Sequence, residues 1–273
     1  MPLLLDYLTV YGAMLETIDS LMLTIEASSE SQLCERVFRH DAPSESRREI
    51  LSYALQVGIL NTVPSNLHPA SGNQTLLRGR SDRTFPLEVF LLRHFHTCNE
   101  PNHVHRNLYL FLLRALETDS VFVQRDDVWP LYNTHPSSER SVFNSPRMAS
   151  WLRIYTYIGL VSPERSNVFT VTPTLKLVRM LVRCLGVHGA HLVTAGSVRL
   201  PDFVKFVETG FCPMTDRRGR VHRGWVDAIT ALAALGELEL AVVGDAPTVF
   251  LGTRAYSHVV FPSALQTVGR ESA

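Results

Sequence analysis

Three glycines, Gly58, Gly159 and Gly236, each end an amphipathic segment and open a β-rich one, and this recurrence limits the fold more than any other feature of the chain. The positions one, four, five and eight before each glycine are Val57, Ala54, Tyr53 and Ile50; Ile158, Tyr155, Ile154 and Trp151; and Leu235, Leu232, Ala231 and Ala228. Apolar residues at that spacing share one face of a helix. A glycine in the left-handed conformation then closes the helix. Each glycine is followed by a short run, a polar tip and a second run: ILNTV and, after a long tip, QTLLRG; GLVSPE and VFTVTP; ELELAVVG and APTVFLG. The spacing therefore predicts a helix followed by a hairpin, three times over.

Upstream of the glycine, the second and third copies share more. VHRNLYLFLLRALETD (104–119) reads as a long helix, VFVQ as a short strand and RDDVWPLYN as a short helix, and a polar turn leads into the glycine-ended helix. The third copy repeats the order as TLKLVRMLVRCLG, SVRLP, DFVKFVETGF, the turn PMTDRRGRVHR and the helix from Trp225. The first copy starts with the N-terminal helix, has no clear strand, and uses SESQLCERVF as its short helix.

Helix, strand, helix, turn, helix, hairpin resembles the winged helix-turn-helix family. The resemblance implies a mainly α-helical α+β fold of three tandem domains with short β-hairpin wings. Their boundaries fall at 1–80, 104–173 and 174–273, with 81–103 as a connector. At about 80 to 100 residues per copy, the period is too long for a stacked solenoid.

In that family the last helix enters the major groove and the wing lies along the backbone or minor groove. The resemblance thus implies a double-stranded DNA binder whose contacts lie opposite the apolar stripe. In the first copy these are Arg47, Arg48, Ser52 and Gln56; in the second, Arg140, Ser145, Arg147, Ser150 and Arg153, with Arg165 and Asn167 at the wing tip. The third copy concentrates Arg217, Arg218, Arg220, His222 and Arg223 in its turn, but its helix and wing carry Asp227 and Asp245. Aspartate facing phosphate repels it, so this copy is expected either to touch the backbone through its turn or to bind protein, and the second copy is expected to offer the best DNA-reading surface of the three. Arg and Ser at a helix start hold phosphates, and Arg and Gln further along reach base edges.

Charge alone does not argue for DNA, because 26 basic residues meet 26 acidic ones. The basic side is nearly all arginine, with Lys176 and Lys205 the two lysines. Arginine is the better bidentate partner for phosphate or guanine, although a GC-rich coding sequence explains the bias equally well.

The first 27 residues are apolar, but Asp6, Glu16, Asp19 and Glu26 interrupt any membrane-spanning window. They read as a buried or partner-facing helix, which points to a protein partner or homodimer. No basic n-region or small-residue cleavage site marks a secretory signal. Cys34, Cys98, Cys184 and Cys212 are too far apart in sequence to suggest a disulfide framework or zinc ribbon, which fits a cytoplasmic protein.

His94, His96, Cys98, His103 and His105 lie close together and are zinc-preferring residue types. Residues two apart point to different helix faces, however, and the spacing matches no zinc-finger pattern, so no metal is expected. No phosphate-binding Gly-rich loop, His-Glu-x-x-His, Gly-x-Ser-x-Gly or nuclease-type carboxylate motif is present. Asp126 and Asp127 sit where acids complement a helix dipole. Phe90, Phe95, Tyr109 and Phe111 would serve single strands only if exposed beside a basic groove. The expectation is a non-enzymatic protein without a cofactor. The alternative is an interaction subunit of a nucleic-acid-handling complex, whose winged helices bind protein. A transcription regulator that senses an effector would need a pocket that the sequence does not place.

Overall fold

The computed structural model describes residues 4–7, 9–38, 42–63, 75–97, 104–114, 121–135, 143–165 and 167–261. It is a mixed α+β chain of helices and small antiparallel sheets. The first segment contains α1 (Gly12–Thr24), β1 (Ser28–Ser29), α2 (Glu30–Val37), α3 (Ser44–Gln56), β2 (Leu60–Val63) and β3 (Leu76–Gly79). After α4 (Leu87–Thr97) comes α5 (Val104–Arg114), β4 (Phe122–Gln124), α6 (Arg125–Thr134), α7 (Ser145–Ile158), β5 (Ser162–Arg165) and β6 (Val168–Thr170). The last segment runs α8 (Leu175–His188), β7 (Ser197–Arg199), α9 (Leu200–Gly210), α10 (Arg223–Ala234), β8 (Glu239–Ala241), β9 (Val249–Leu251), β10 (Arg254–Tyr256) and β11 (His258–Val260).

The three-stranded sheets run β1-β3-β2, β4-β6-β5 and β7-β11-β8. In each one the strand before the second helix of its segment pairs with the returning arm of the hairpin, which takes the central place. The two serines of the first segment supply the strand that its sequence concealed. Ser29 also caps α2 with a capping box to Gln32. The expected connector holds α4, whose Val89, Leu91, Leu92 and Phe95 are buried. In the last segment APTVFLG was expected to be the returning arm, and it is not. Val249–Leu251 pairs with Arg254–Tyr256 as a separate hairpin, and β8 pairs with β11. Buried Ser257 holds that exit, its hydroxyl accepting from Val243 N at 2.8 Å.

The glycines behave as their positions demand, with φ of +78°, +91° and +72° at Gly58, Gly159 and Gly236. The amides that follow the first and third bond back to Ala54 O and Leu232 O, closing α3 and α10 in the manner of a Schellman motif. The apolar stripes of α3 and α7 are buried as expected. In α10 the stripe ends a turn early: Trp225, Ala228, Ile229 and Leu232 are buried, while Leu235 is 60% exposed.

By contacts the chain divides into two compact units, Met1–Leu87 with Asn144–Tyr157, and Glu88–Phe143 with Ile158–Ala273. Thus α7 belongs to the first unit, whereas the helices and strands before and after it in its repeat belong to the second. In the first unit, α1 packs on α2, α3 and β3 and buries Leu15, Ile18 and Met22. The N-terminal helix, expected to be either buried or partner-facing, is covered along this stripe by its own unit. Asp19 on the same face accepts two bonds from the Arg80 guanidinium at 3.0 and 3.1 Å and also pairs with Arg83. Arg80 in turn donates to Asp82 O and Phe85 O, each at 2.9 Å. A buried carboxylate is tolerable only with partners of this kind. No helix among the described residues is long and apolar enough to cross a membrane.

Candidate nucleic-acid interface

The densest basic turn of the sequence lies in the second unit, between α9 and α10. Glu208 on α9 anchors its start, accepting from Met214 N, Thr215 N and Thr215 Oγ1 at 3.0, 2.9 and 2.7 Å. Thr215 and Val221 form a β-bridge across the turn, and Asp216 N donates to Arg220 O. The Asp216 carboxylate accepts from Arg218 N and Arg220 N at 2.8 and 3.0 Å and from Arg220 Nε at 3.0 Å. Burial opposes its charge, but the bonds from Arg220 and Arg218 win and hold the carboxyl below its ordinary pKa. Asp216 therefore acts as a brace for the turn.

The helix that follows is fixed just as firmly. His222 caps α10, its Nδ1 accepting from Gly224 N at 3.2 Å. Burial lowers its pKa against the pull of Asp216 and Asp227, which favours the neutral ring that accepting requires. His222 is thus a buried cap, and not the exposed DNA contact expected from its place in the basic run. Gly224 lies against the segment that ends the second repeat: a Cβ there would meet Val171 O at 2.0 Å. Trp225 is fully buried and donates from Nε1 to Tyr109 OH at 3.1 Å.

The turn, the end of α5 and the β9–β10 hairpin enclose a cleft of about 440 Å³. Among the described residues, Arg114, Arg217, Arg218, Arg220 and Arg223 line it with the single acid Asp216. Its apolar members are Leu113, Val221, Val226 and Phe250, and Gly252 and Thr253 close it from the hairpin turn. Arg114 also donates to Thr215 O at 3.4 Å. Arg223 pairs with Asp227 at 2.7 Å, one helical turn on. Phe250 is 60% exposed.

The other expected contacts are placed differently. In the first unit Arg48 and Ser52 are exposed on α3, and Arg47 and Gln56 are half-buried. Arg78 on β3 is exposed opposite Asn61, a basic wing residue that the sequence reading did not single out. On α7, Ser145 is exposed at the helix start, but the stripe expected to read DNA packs on Asp6, Tyr7 and Tyr11 of the same unit. Arg147 pairs with Asp6 at 2.7 Å, Ser150 is 2% exposed and donates to Tyr7 O at 3.2 Å, and Arg153 lies 5.0 Å over the Tyr11 ring. Gly12 leaves room for the Tyr157 ring, where a Cβ would fall 1.9 Å from Cγ. Arg165 is exposed at the second wing and Asn167 is half-buried. Arg140 lies outside the described residues.

Among the histidines, His105 is buried and stacked on Phe95, with ring centroids 4.3 Å apart. Burial, with help from His94, lowers its pKa to about 3. Burial also lowers His94 and, together with Arg106, His96. Cys98 and His103 lie outside the described residues. No group of three or more His, Cys, Asp or Glu among the described residues is placed to hold a metal ion.

The sequence reading missed Arg114 and Phe250. Arg114 sits amid an apolar run far from the turn it joins, and Phe250 lies in a strand whose pairing was misread. Comparison with protein-family models, curated proteins and solved structures gives no match.

Proposed function

We propose that this chain is a non-enzymatic, double-stranded DNA-binding protein built from three tandem winged helix-turn-helix repeats, with the arginine cleft of the third repeat as its main phosphate contact. The thrice-repeated strand order, with the returning hairpin arm central, supports the fold assignment. The functional reading is carried by one observation, the convergence on one cleft of five arginines from a braced turn, the start of α10 and the end of α5, beside the β9–β10 hairpin. Guanidinium groups held in a shaped site bind phosphate with little ordering cost.

Arg48 and Ser52, with Arg78 on the neighbouring wing, give the first repeat a second contact surface of the same chemistry. The second repeat contributes Ser145, Arg165 and Asn167 at its edges. Its helix stripe is committed to packing, so Arg147, Ser150 and Arg153 leave the DNA-facing set.

Fluorescence anisotropy with a random-sequence duplex across a salt series tests the reading. If about three phosphates are neutralised, log Kobs falls against log salt with a slope of about −2.7. Replacing Arg218 with alanine is expected to flatten that slope by about 0.9. No binding at low salt, or a slope unmoved by Arg218→Ala, overturns the proposal.

A further inference from the structure

We infer that the cleft beside Phe250 takes an unpaired nucleotide, so that the protein prefers DNA carrying a single-stranded end over closed duplex. This rests on the proposed function and narrows its substrate. A cleft of about 440 Å³ falls in the size range of small-ligand pockets. It has the two components that single-strand sites combine, a guanidinium-lined wall and an exposed aromatic ring.

Phe250 is 60% exposed on β9 and stands opposite the small Ala255 across the hairpin. Its neighbours on the strand point the other way, and Leu251 is buried. A ring left in water beside arginines gains most by stacking on a flat, weakly hydrated face, and every base offers one whatever its identity. Arg218, exposed on the braced turn, and Arg114, on the end of α5, line the same cleft and would hold the phosphates that flank the stacked base. Asp216 does not repel them, because its carboxylate is occupied by Arg220 and the turn amides.

The test uses the full chain and four labelled probes: a blunt duplex, the same duplex with a base-bearing overhang, the same duplex with an abasic overhang, and the free strand. The abasic overhang keeps the phosphates and removes the stacking faces. The base-bearing overhang is expected to bind about tenfold more tightly than the abasic one. Phe250→Leu, which keeps apolar area but loses the ring face, is expected to abolish that difference; Phe250→Trp keeps it. Equal affinity for the two overhangs, or a difference that survives Phe250→Leu, overturns the inference while leaving duplex binding intact. Salt-independent or absent binding to every probe overturns both readings. Loss of blunt-duplex affinity in Phe250→Ala, with no effect of the overhang, overturns the inference by making Phe250 a wedge between paired bases.

Discussion

His105 is the residue whose removal reports most directly on how the second unit is built. Its ring is fully buried against Phe95, and burial, with help from His94, lowers its pKa from 6.5 to about 3. The folded state therefore binds fewer protons than the unfolded one between these values, and stability rises with pH across that window. The contribution is complete above the unfolded pKa and is lost progressively as pH falls toward the folded one. From the two pKa values, the loss between about pH 7.5 and about pH 5 is about 2 kcal/mol for this residue alone. Urea unfolding of the full chain at those two pH values measures it. His105→Leu, of similar volume and without a titrating group, is expected to reduce the pH-dependent loss by about 2 kcal/mol, whatever it does to stability at neutral pH. His94, His96 and His222 are also lowered and will leave a residual dependence of the same sign. The reasoning fails if the variant and the parent lose the same stability on acidification.

Four further changes probe particular contacts. Asp19→Ala strands the buried Arg80 guanidinium and should cost roughly 3–5 kcal/mol in the first unit, visible in a denaturant melt; a loss under about 1 kcal/mol would mean that water reaches the pair. Gly224→Ala drives a Cβ into Val171 O, a backbone atom that cannot rotate away, and should reach or exceed the roughly 3 kcal/mol top of the overpacking range. Tyr109→Phe removes the acceptor for the Trp225 indole N–H, with an expected loss of about 1–2 kcal/mol and a change in tryptophan emission; an unchanged melt and spectrum would contradict the bond. Arg147→Ala should cost about 0.5–1 kcal/mol of stability and leave duplex affinity unchanged, whereas a lowered affinity would return α7 to the DNA-facing set.

The helices and their glycine stops were legible because both depend on local rules, a stripe at helical spacing and a residue that tolerates positive φ. Two serines paired as β1 were not legible, since a two-residue strand has no periodicity and forms only when β3 offers its edge. The helix in 87–97 runs into a polar, histidine-rich stretch that reads as connector, though Leu87, Val89, Leu91, Leu92 and Phe95 already trace an apolar face. The extra hairpin β9–β10 misled for a different reason: APTVFLG has strand composition, and composition does not reveal which strand it will pair with. Of the expected contact residues, Arg217, Arg218, Arg220 and Arg223 are exposed, as a charged run in a tight turn favours. Ser150, Arg147 and Arg153 are covered, and nothing in α7 itself reveals that Asp6, Tyr7 and Tyr11 will meet them.

Helices α7 and α10 occupy the same place in their repeats, yet one has its outward face packed and the other has it open, and the difference follows from a few residues. On α7 the covered face contains Ser150, small enough to be buried with one bond to a carbonyl, between two arginines that meet Asp6 and the Tyr11 ring. A buried serine needs only that one partner. On α10 the corresponding side carries Arg223, Asp227 and Thr230, which satisfy one another or their own helix: Arg223 with Asp227, and Thr230 Oγ1 with Val226 O at 2.8 Å. Such a face gains little from being covered, because burial would strip water from an ion pair already worth under about 1 kcal/mol at the surface. Asp216 and Glu208 fix the turn before α10 through its backbone amides, Thr215 Oγ1 and the Arg220 guanidinium, and Arg218 stays exposed. Two helices that each end at a left-handed glycine are thus put to opposite uses, internal packing in α7 and an exposed basic turn at the start of α10, according to whether the outward residues need a partner or already have one.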